Sequence, residues 1–256
     1  MVFGLFSNKE KALQKTVEKA TNKLSQQPDR WAALEKLKEA GTDEALFGLC
    51  RRFGITSMKG VEDEQEKHWV VEALVAARKR DDAGKDVGST TLEPLVRYMK
   101  GAEQLAFPLR VLERIADKAQ VLEVVDALFA SEPPGYVRMP ERRIDLLRWF
   151  SEWNQATDEE VVARLSRYVT DFDENSRFAA IEGMTGKDPA RIAPPLIAAL
   201  LRPEEESGRI KRTILEVLAR GQAPLGDQAE AVAAAISSGG QLGGDFRVDG
   251  GIVKKR

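Results

Sequence analysis

The feature that most constrains this chain is a helical spacing of apolar residues, which continues along almost its whole length and is interrupted by turn signals. Apolar residues three and four positions apart are typical of amphipathic helices, and no convincing alternating strand pattern occurs before the last dozen residues. Turn residues divide the pattern into segments of about 10 to 18 residues, with helix caps expected at Asp43, Asp158 and Asp173. The sequence therefore predicts an all-α fold of about thirteen short helices.

These helices are predicted to recur as pairs. The first helix of each pair carries an apolar column that repeats at intervals of 37, 41, 35, 34 and 34 residues: Leu34, Val71, Leu112, Leu147, Ile181 and Leu215. Four positions earlier, five of six residues are basic: Arg30, Lys67, Pro108, Arg143, Arg177 and Lys211. A cation in a constant register indicates a repeat, and we expect this column to form hydrogen bonds between neighbouring repeats.

The second helices are also amphipathic. They are predicted at residues 43–53, 90–100, 119–130, 158–170, 190–202 and 227–237. One helix pair cannot bury its apolar face alone, so the pairs are expected to stack on one another.

One stretch carries a family resemblance. Residues 173–201, DENSRFAAIEGMTGKDPARIAPPLIAALL, resemble a bacterial HEAT-like repeat, which opens with Asp and a basic residue and continues through two helices joined by a short turn. Residues 205–218 look like the next copy and residues 31–52 like a degenerate first copy. The resemblance covers residues 28–237 and implies an α-solenoid of about six HEAT-like helix pairs, coiled as a right-handed superhelix. It also implies that the second helices line the concave surface.

Two segments flank the repeats. Residues 1–27 are predicted to form an N-terminal amphipathic cap helix, with an apolar face at Leu13, Val17, Ala20 and Leu24. Contact of this basic, apolar segment with a membrane interface is the less favoured alternative. Residues 238–256 hold six glycines in the last eighteen positions. They are predicted to form a Gly-rich flexible C-terminal tail with at most one short strand.

The composition limits the chemistry of the chain. Its 256 residues carry a net charge of −2, which gives no overall attraction to nucleic acid or to an anionic membrane. The single Cys50 and single His68 lie in different repeats and cannot supply the three or four ligands of a zinc site. No apolar run is long enough for a transmembrane helix, and we expect a cytoplasmic protein without an enzymatic activity, metal or cofactor.

Two local motifs have simpler interpretations than catalysis. Residues 183–188 contain Gly-Lys, but Asp188 stands where a phosphate-binding loop needs Ser or Thr, so a turn between helices is expected. The aromatic residues Trp149, Phe150, Trp153 and Tyr168 favour a core position, with a partner-binding surface as the alternative.

The strongest functional signal is a set of basic positions on the second helices, away from their apolar stripes. These predicted partner-binding residues are Arg51, Arg52, Arg97, Lys100, Arg164, Arg167, Arg191 and Arg202. A basic concave groove favours a non-enzymatic scaffold or adaptor that binds an acidic or extended segment of another protein. The simpler interpretation is that these cations only solubilise the helices. The alternatives implied by the resemblance are a HEAT-like DNA-binding protein, an alkylpurine DNA glycosylase or a HEAT-like bilin lyase.

Overall fold

The computed structural model describes residues 8–57, 59–80 and 86–256, with the backbone alone for residues 78–80 and 86–89. These residues are mostly helical, with fourteen α-helices in the described part of the chain, so the all-α class is confirmed. The chain divides into two compact units, unit 1 (Met1–Leu128) and unit 2 (Phe129–Arg256). Helix α7 (Lys118–Ser131) contains the boundary between them.

In its described residues, unit 1 has six α-helices and one short hairpin before α7. Its elements before α7 are α1 (Asn8–Thr21), α2 (Gln27–Ala40), α3 (Asp43–Cys50), α4 (Gly60–Ala76), β1 (Arg78–Arg80), β2 (Asp86–Ser89), α5 (Leu92–Met99) and α6 (Ala106–Ile115). Helix α2 contacts α3 and α4, α4 contacts α6, and α3 contacts α5. First helices therefore touch first helices within this unit, and second helices touch second helices.

Unit 2 follows the same order of contacts. After α7 its elements are α8 (Glu141–Glu152), α9 (Asp158–Leu165), α10 (Glu174–Glu182), α11 (Pro189–Leu201), α12 (Gly208–Gly221), α13 (Ala229–Ser238), α14 (Gln241–Asp245), β3 (Phe246–Asp249) and β4 (Ile252–Lys255). Helix α10 packs between α8 and α12, and α11 packs between α9 and α13. The six predicted second-helix ranges correspond to α3, α5, α7, α9, α11 and α13, with ends that differ by a few residues.

Some helices begin at a capping side chain, and two of these caps differ from the prediction. Asp173 accepts a hydrogen bond from the Ser176 N–H at 2.7 Å, as expected. At α3 and α9 the caps are Thr42 and Thr157, each one residue before the predicted Asp. The aspartates instead occupy the first turn, where their negative charge interacts favourably with the positive end of the helix dipole.

The N-terminal helix α1 packs against α2 and α3. Val17 and Ala20 are buried, whereas Leu24 lies beyond the helix end and is exposed. At the contact with α3, a Cβ added to Gly48 would lie 2.6 Å from a methyl carbon of Val17. Residues 1–7, on which the membrane alternative rests, lie outside the described residues.

Two β-hairpins differ from the sequence prediction. The pair β1–β2 joins α4 to α5, in a segment where Val87 is the only large apolar residue and alternation gives no strand signal. The pair β3–β4 occupies most of the predicted flexible tail, and its Phe246 and Val253 are buried. The hairpin contacts α12 and α13. Burial of its side chains against these helices stabilises two strands that the glycine-rich sequence does not predict.

Candidate functional site

The basic column of the first helices forms buried ion pairs in unit 2. The Arg143 guanidinium is fully buried, and its Nη1 lies 2.7 Å from Oδ2 of Asp171. It also donates to the carbonyl oxygens of Gly135 at 3.0 Å and Pro133 at 2.7 Å. Arg143 thus ties α8 to the loops before and after the pair of α8 and α9.

Arg177 repeats this arrangement one helix pair later. Its Nε lies 2.8 Å from Oε2 of Glu205, and its Nη1 donates to the Asp171 carbonyl at 2.8 Å. Each acid follows its arginine by 28 residues and stands two residues before the cap of the next first helix. Each acid also accepts the N–H of that cap residue, at 2.8 Å from Asp173 and 2.9 Å from Ser207. Both arginines thus form the hydrogen bonds expected of the cation column, from one helix pair to the loop before the next first helix.

Unit 1 holds a larger buried charge network. Arg30 of α2 donates from Nη2 to Oε1 of Glu66 at 2.8 Å, again linking two first helices. Glu66 also accepts from Arg52, whose Nη2 lies 2.7 Å from Asp63 Oδ1. Lys67 reaches the other Asp63 oxygen at 2.7 Å. Arg30 thus links one helix pair to the next, as expected of the cation column, whereas Lys67 pairs within its own helix.

Arg52 is a correction to the predicted set of exposed cations. Its side chain is 0% exposed, although the helical register of α3 assigned it to the surface. The reason is that α3 ends at Cys50 and continues as a 3₁₀ turn over Arg51–Gly54, which changes the angle between successive side chains. The turn directs Arg52 toward α4 and leaves Arg51 exposed.

The other predicted cations of unit 1 remain at the surface. Arg97 of α5 contacts Glu44 of α3 at 2.8 Å and lies over the Phe47 ring at 4.2 Å. The hydrogen bond to Glu44 raises the pKa of Arg97. Arg51 and Lys100 are exposed and form no ion pair with any described residue. The second-helix surface of unit 1 is thus partly neutralised by its own carboxylates.

In unit 2, two of the predicted cations pair with carboxylates. Arg191 pairs with Glu159 at 3.1 Å, and Arg202 pairs with Glu204 at 2.9 Å. Arg164 is half-buried, with its guanidinium 5.0 Å from the Phe150 ring centre. Arg167 is exposed beside the Tyr168 ring, and no carboxylate of a described residue lies within ion-pair distance of it.

An apolar cavity opens on the second-helix side of unit 2. It has a volume of about 500 Å³ and lies between α11 and the loop that precedes α13. Ala190, Pro194 and Ala198 form its exposed rim, and Ile197 and Leu225 form its buried floor. Helical periodicity does not predict this cavity, because it forms only where α11 meets the loop that precedes α13.

The aromatic group of unit 2 is mainly core, which confirms the favoured interpretation. Phe150, Trp153 and Tyr168 are buried, and the Tyr168 hydroxyl donates to the Glu132 carbonyl at 2.7 Å. Trp149 is half-buried and stacks on Trp153 with ring centres 5.5 Å apart.

The residues weighed for catalysis have structural surroundings. Cys50 is fully buried, and burial raises the pKa of its thiol. His68 is exposed on α4 and contacts the edge of the Phe107 ring. The Gly-Lys segment is a turn between α10 and α11, with Gly186 at φ 77° and Asp188 as the cap of α11. Within the described residues, no group of three or more His, Cys, Asp or Glu is arranged to hold a metal ion.

Comparisons of the chain with models of protein families, with curated proteins and with solved structures give no match. In the described part of the chain, no helix has both the length and the apolar character needed to cross a membrane.

Proposed function

We propose that this chain is a non-enzymatic scaffold that binds an extended segment of another protein on the second-helix surface of unit 2. We further propose that its helix pairs are HEAT-like repeats, about six in number, stacked as a right-handed α-solenoid. The order of helix contacts within each unit supports the repeat assignment, because stacked pairs bring first helices against first helices. We assign this activity to the cytoplasm, as the sequence predicts.

The observation that carries the binding proposal is the apolar cavity on α11. An exposed rim of alanine and proline above an aliphatic floor accepts an apolar side chain, and Asp227 and Gln228 of the loop before α13 complete the lining. Burial of such a side chain is favourable by about 1.5–3 kcal/mol, enough to anchor a short segment when a few polar contacts assist.

The cations of the same second helices supply those polar contacts. Arg167 has an exposed guanidinium without a carboxylate partner, and Arg191 lies one residue from Ala190 on the cavity rim. Arg–carboxylate contacts in a shallow groove mainly increase the association rate and select against basic partners. The partner segment is therefore expected to present one apolar side chain flanked by acidic residues.

Capture of the partner from native cell extract tests this function. Charge reversal of Arg164 and Arg167 together, and separately Ala198→Trp, which fills the cavity mouth, should each reduce the amount captured without unfolding the protein. Arg209→Glu on α12 is the control, because it reverses an exposed charge on a first helix.

Equal capture by all three variants would remove the second-helix surface as the binding site. The alternative of DNA binding predicts a different result, namely a gel shift whose affinity falls steeply as salt increases.

A further inference from the structure

Helix α11 contains two adjacent prolines that remove hydrogen bonds from its backbone. Pro194 and Pro195 lie within the helix, and neither residue has an N–H group. In an α-helix, residues at these positions donate to the carbonyl oxygens four residues earlier, which here belong to Ala190 and Arg191. No hydrogen bond from a described residue outside α11 reaches either oxygen. The first turn of α11 therefore presents two backbone acceptors that lack their usual helical donor.

One of these two acceptors lies at the apolar cavity between α11 and the loop before α13. Ala190 and Pro194 are one helical turn apart on the same face of α11, and both are exposed and line the cavity. Arg191 and Pro195 do not line it. The Ala190 carbonyl points along the helix toward Pro194, which has no proton to donate. The cavity rim therefore carries a backbone hydrogen-bond acceptor.

The loop on the other side of the cavity adds two polar side chains, those of Asp227 and Gln228. Both are exposed, and neither forms a hydrogen bond or an ion pair with a described residue. Asp227 is the only charged residue among those that line the cavity, all of which the structure describes. With the Ala190 carbonyl and the Asp227 carboxylate at its rim, the cavity favours a ligand group that donates a hydrogen bond.

The size and the floor of the cavity restrict the side chain that carries this donor. The volume is about 500 Å³, and the floor consists of the aliphatic residues Ile197 and Leu225. A cavity of about 150 Å³ with an aliphatic lining already binds benzene, so this one has room for a side chain with two fused rings. A lysine or arginine head group would lose hydration against such a floor. Indole combines a broad apolar surface with a single N–H donor.

We propose that this cavity binds a tryptophan of the partner segment, and that the indole N–H donates to the Ala190 carbonyl, which Pro194 leaves without a helical donor. The inference rests on the proposed function, because it names the anchor residue that the second-helix surface of unit 2 receives. The acidic residues of the segment contact the cations of that surface, as proposed above.

Three fluorescein-labelled peptides test the anchor. Each has the order glutamate, glutamate, glycine, X, glycine, glycine, where X is tryptophan, 3-benzothienylalanine or leucine. The benzothienyl group has the two-ring shape of indole, with sulfur in place of the N–H group. In titrations of the full chain followed by fluorescence anisotropy, the tryptophan peptide should bind about fivefold more tightly than the benzothienyl peptide, as expected for one neutral hydrogen bond. The leucine peptide should bind more weakly than both, because it covers less of the floor.

Two proline variants separate the carbonyl from the rest of the cavity. Pro194→Ala supplies an N–H that donates to the Ala190 carbonyl within the helix, so the preference for tryptophan over 3-benzothienylalanine should disappear. Pro195→Ala is the matched control, because it restores the hydrogen bond to Arg191, outside the cavity, and should retain the preference. Alanine is the better helix former at both positions, and circular dichroism should show that both variants fold.

The outcomes distinguish this inference from the proposed function. Equal affinities of the tryptophan and benzothienyl peptides for the parent chain, or an unchanged preference in Pro194→Ala, would overturn the tryptophan assignment. The proposed function would survive that result if Ala198→Trp still abolished binding of both peptides. Absence of binding by all three peptides, or binding that Ala198→Trp leaves unaltered, would contradict the proposed function as well.

Discussion

At the scale of single residues, buried arginines connect the helix pairs. Arg143 and Arg177 each satisfy backbone carbonyls and one carboxylate, and in this way close the ends of two loops. A buried ion pair adds little net stability compared with apolar residues, but removal of one partner leaves an uncompensated charge.

Substitution of Arg143 tests this account. Arg143→Met should lower the free energy of unfolding by about 3–5 kcal/mol, because Asp171 stays buried without its cation. Urea denaturation measures the change. The control is Arg209→Met, which breaks an exposed pair with Glu174 and should cost at most about 1 kcal/mol. Similar losses in the two variants would contradict a special role for the buried pair.

Cys50 gives a second prediction for a single residue. Its thiol is fully buried and its pKa is raised by desolvation, so the folded protein should react with Ellman's reagent only through opening of the structure. Reaction should become fast in denaturant. A Ser238→Cys variant provides an exposed thiol for comparison. Rapid reaction of Cys50 under native conditions would show that α3 is not packed as described.

At the scale of elements, close approach of helices depends on residues without a side chain. Gly183, directly after α10, has a φ of −64°, which any residue can adopt. A Cβ there would lie 2.7 Å from both Leu165 Cδ2 and Ser151 Cβ. The glycine is therefore required by packing between α10, α8 and α9 and not by backbone conformation.

Because packing requires Gly183, the effect of replacing it by alanine can be predicted. Gly183→Ala should lower the melting temperature, by the equivalent of about 1–3 kcal/mol, because neighbouring helices must move apart. Gly208→Ala, at the start of α12, meets nothing within 4 Å and should leave stability unchanged or slightly higher. Differential scanning calorimetry of the two variants compares them directly, and equal melting temperatures would contradict the close contact.

At the scale of the whole molecule, stability should depend on pH through buried carboxylates. Burial raises the pKa of Asp63, but hydrogen bonds from Lys67, Arg52 and the Ser57 N–H outweigh it and hold that pKa below its ordinary value. A carboxyl group with a lowered folded-state pKa stabilises the protein above its unfolded pKa of about 3.9. That contribution is lost as the pH falls through the folded value.

The free energy of unfolding should therefore fall on acidification below about pH 4. Urea denaturation of the full chain at a series of pH values measures this slope. Asp63→Asn should be less stable at neutral pH and should show a shallower decline in acid. An unchanged slope in this variant would mean that Asp63 does not contribute to it.

The sequence alone was sufficient for the helices and for part of their pairing. Apolar spacing of three and four residues is a local property of each helix, which is why the all-α class and the approximate ranges of α3, α5 and α11 follow from it. The cation register likewise identified Arg30, Arg143 and Arg177 as hydrogen-bonding residues, of which Arg30 reaches the next first helix and the other two reach the loop before it. The solenoid coil and the partner remain predictions.

Only the tertiary structure decided which charges are available and what the last residues form. Arg52 is buried because a 3₁₀ turn redirects it, and Asp171 and Glu205 become partners because loops distant in sequence meet the arginines. The hairpin of β3 and β4 forms where Phe246 and Val253 are covered by helices, although glycine dominates the local sequence. Contacts between segments far apart in the chain determine these features, and local periodicity carries no information about them.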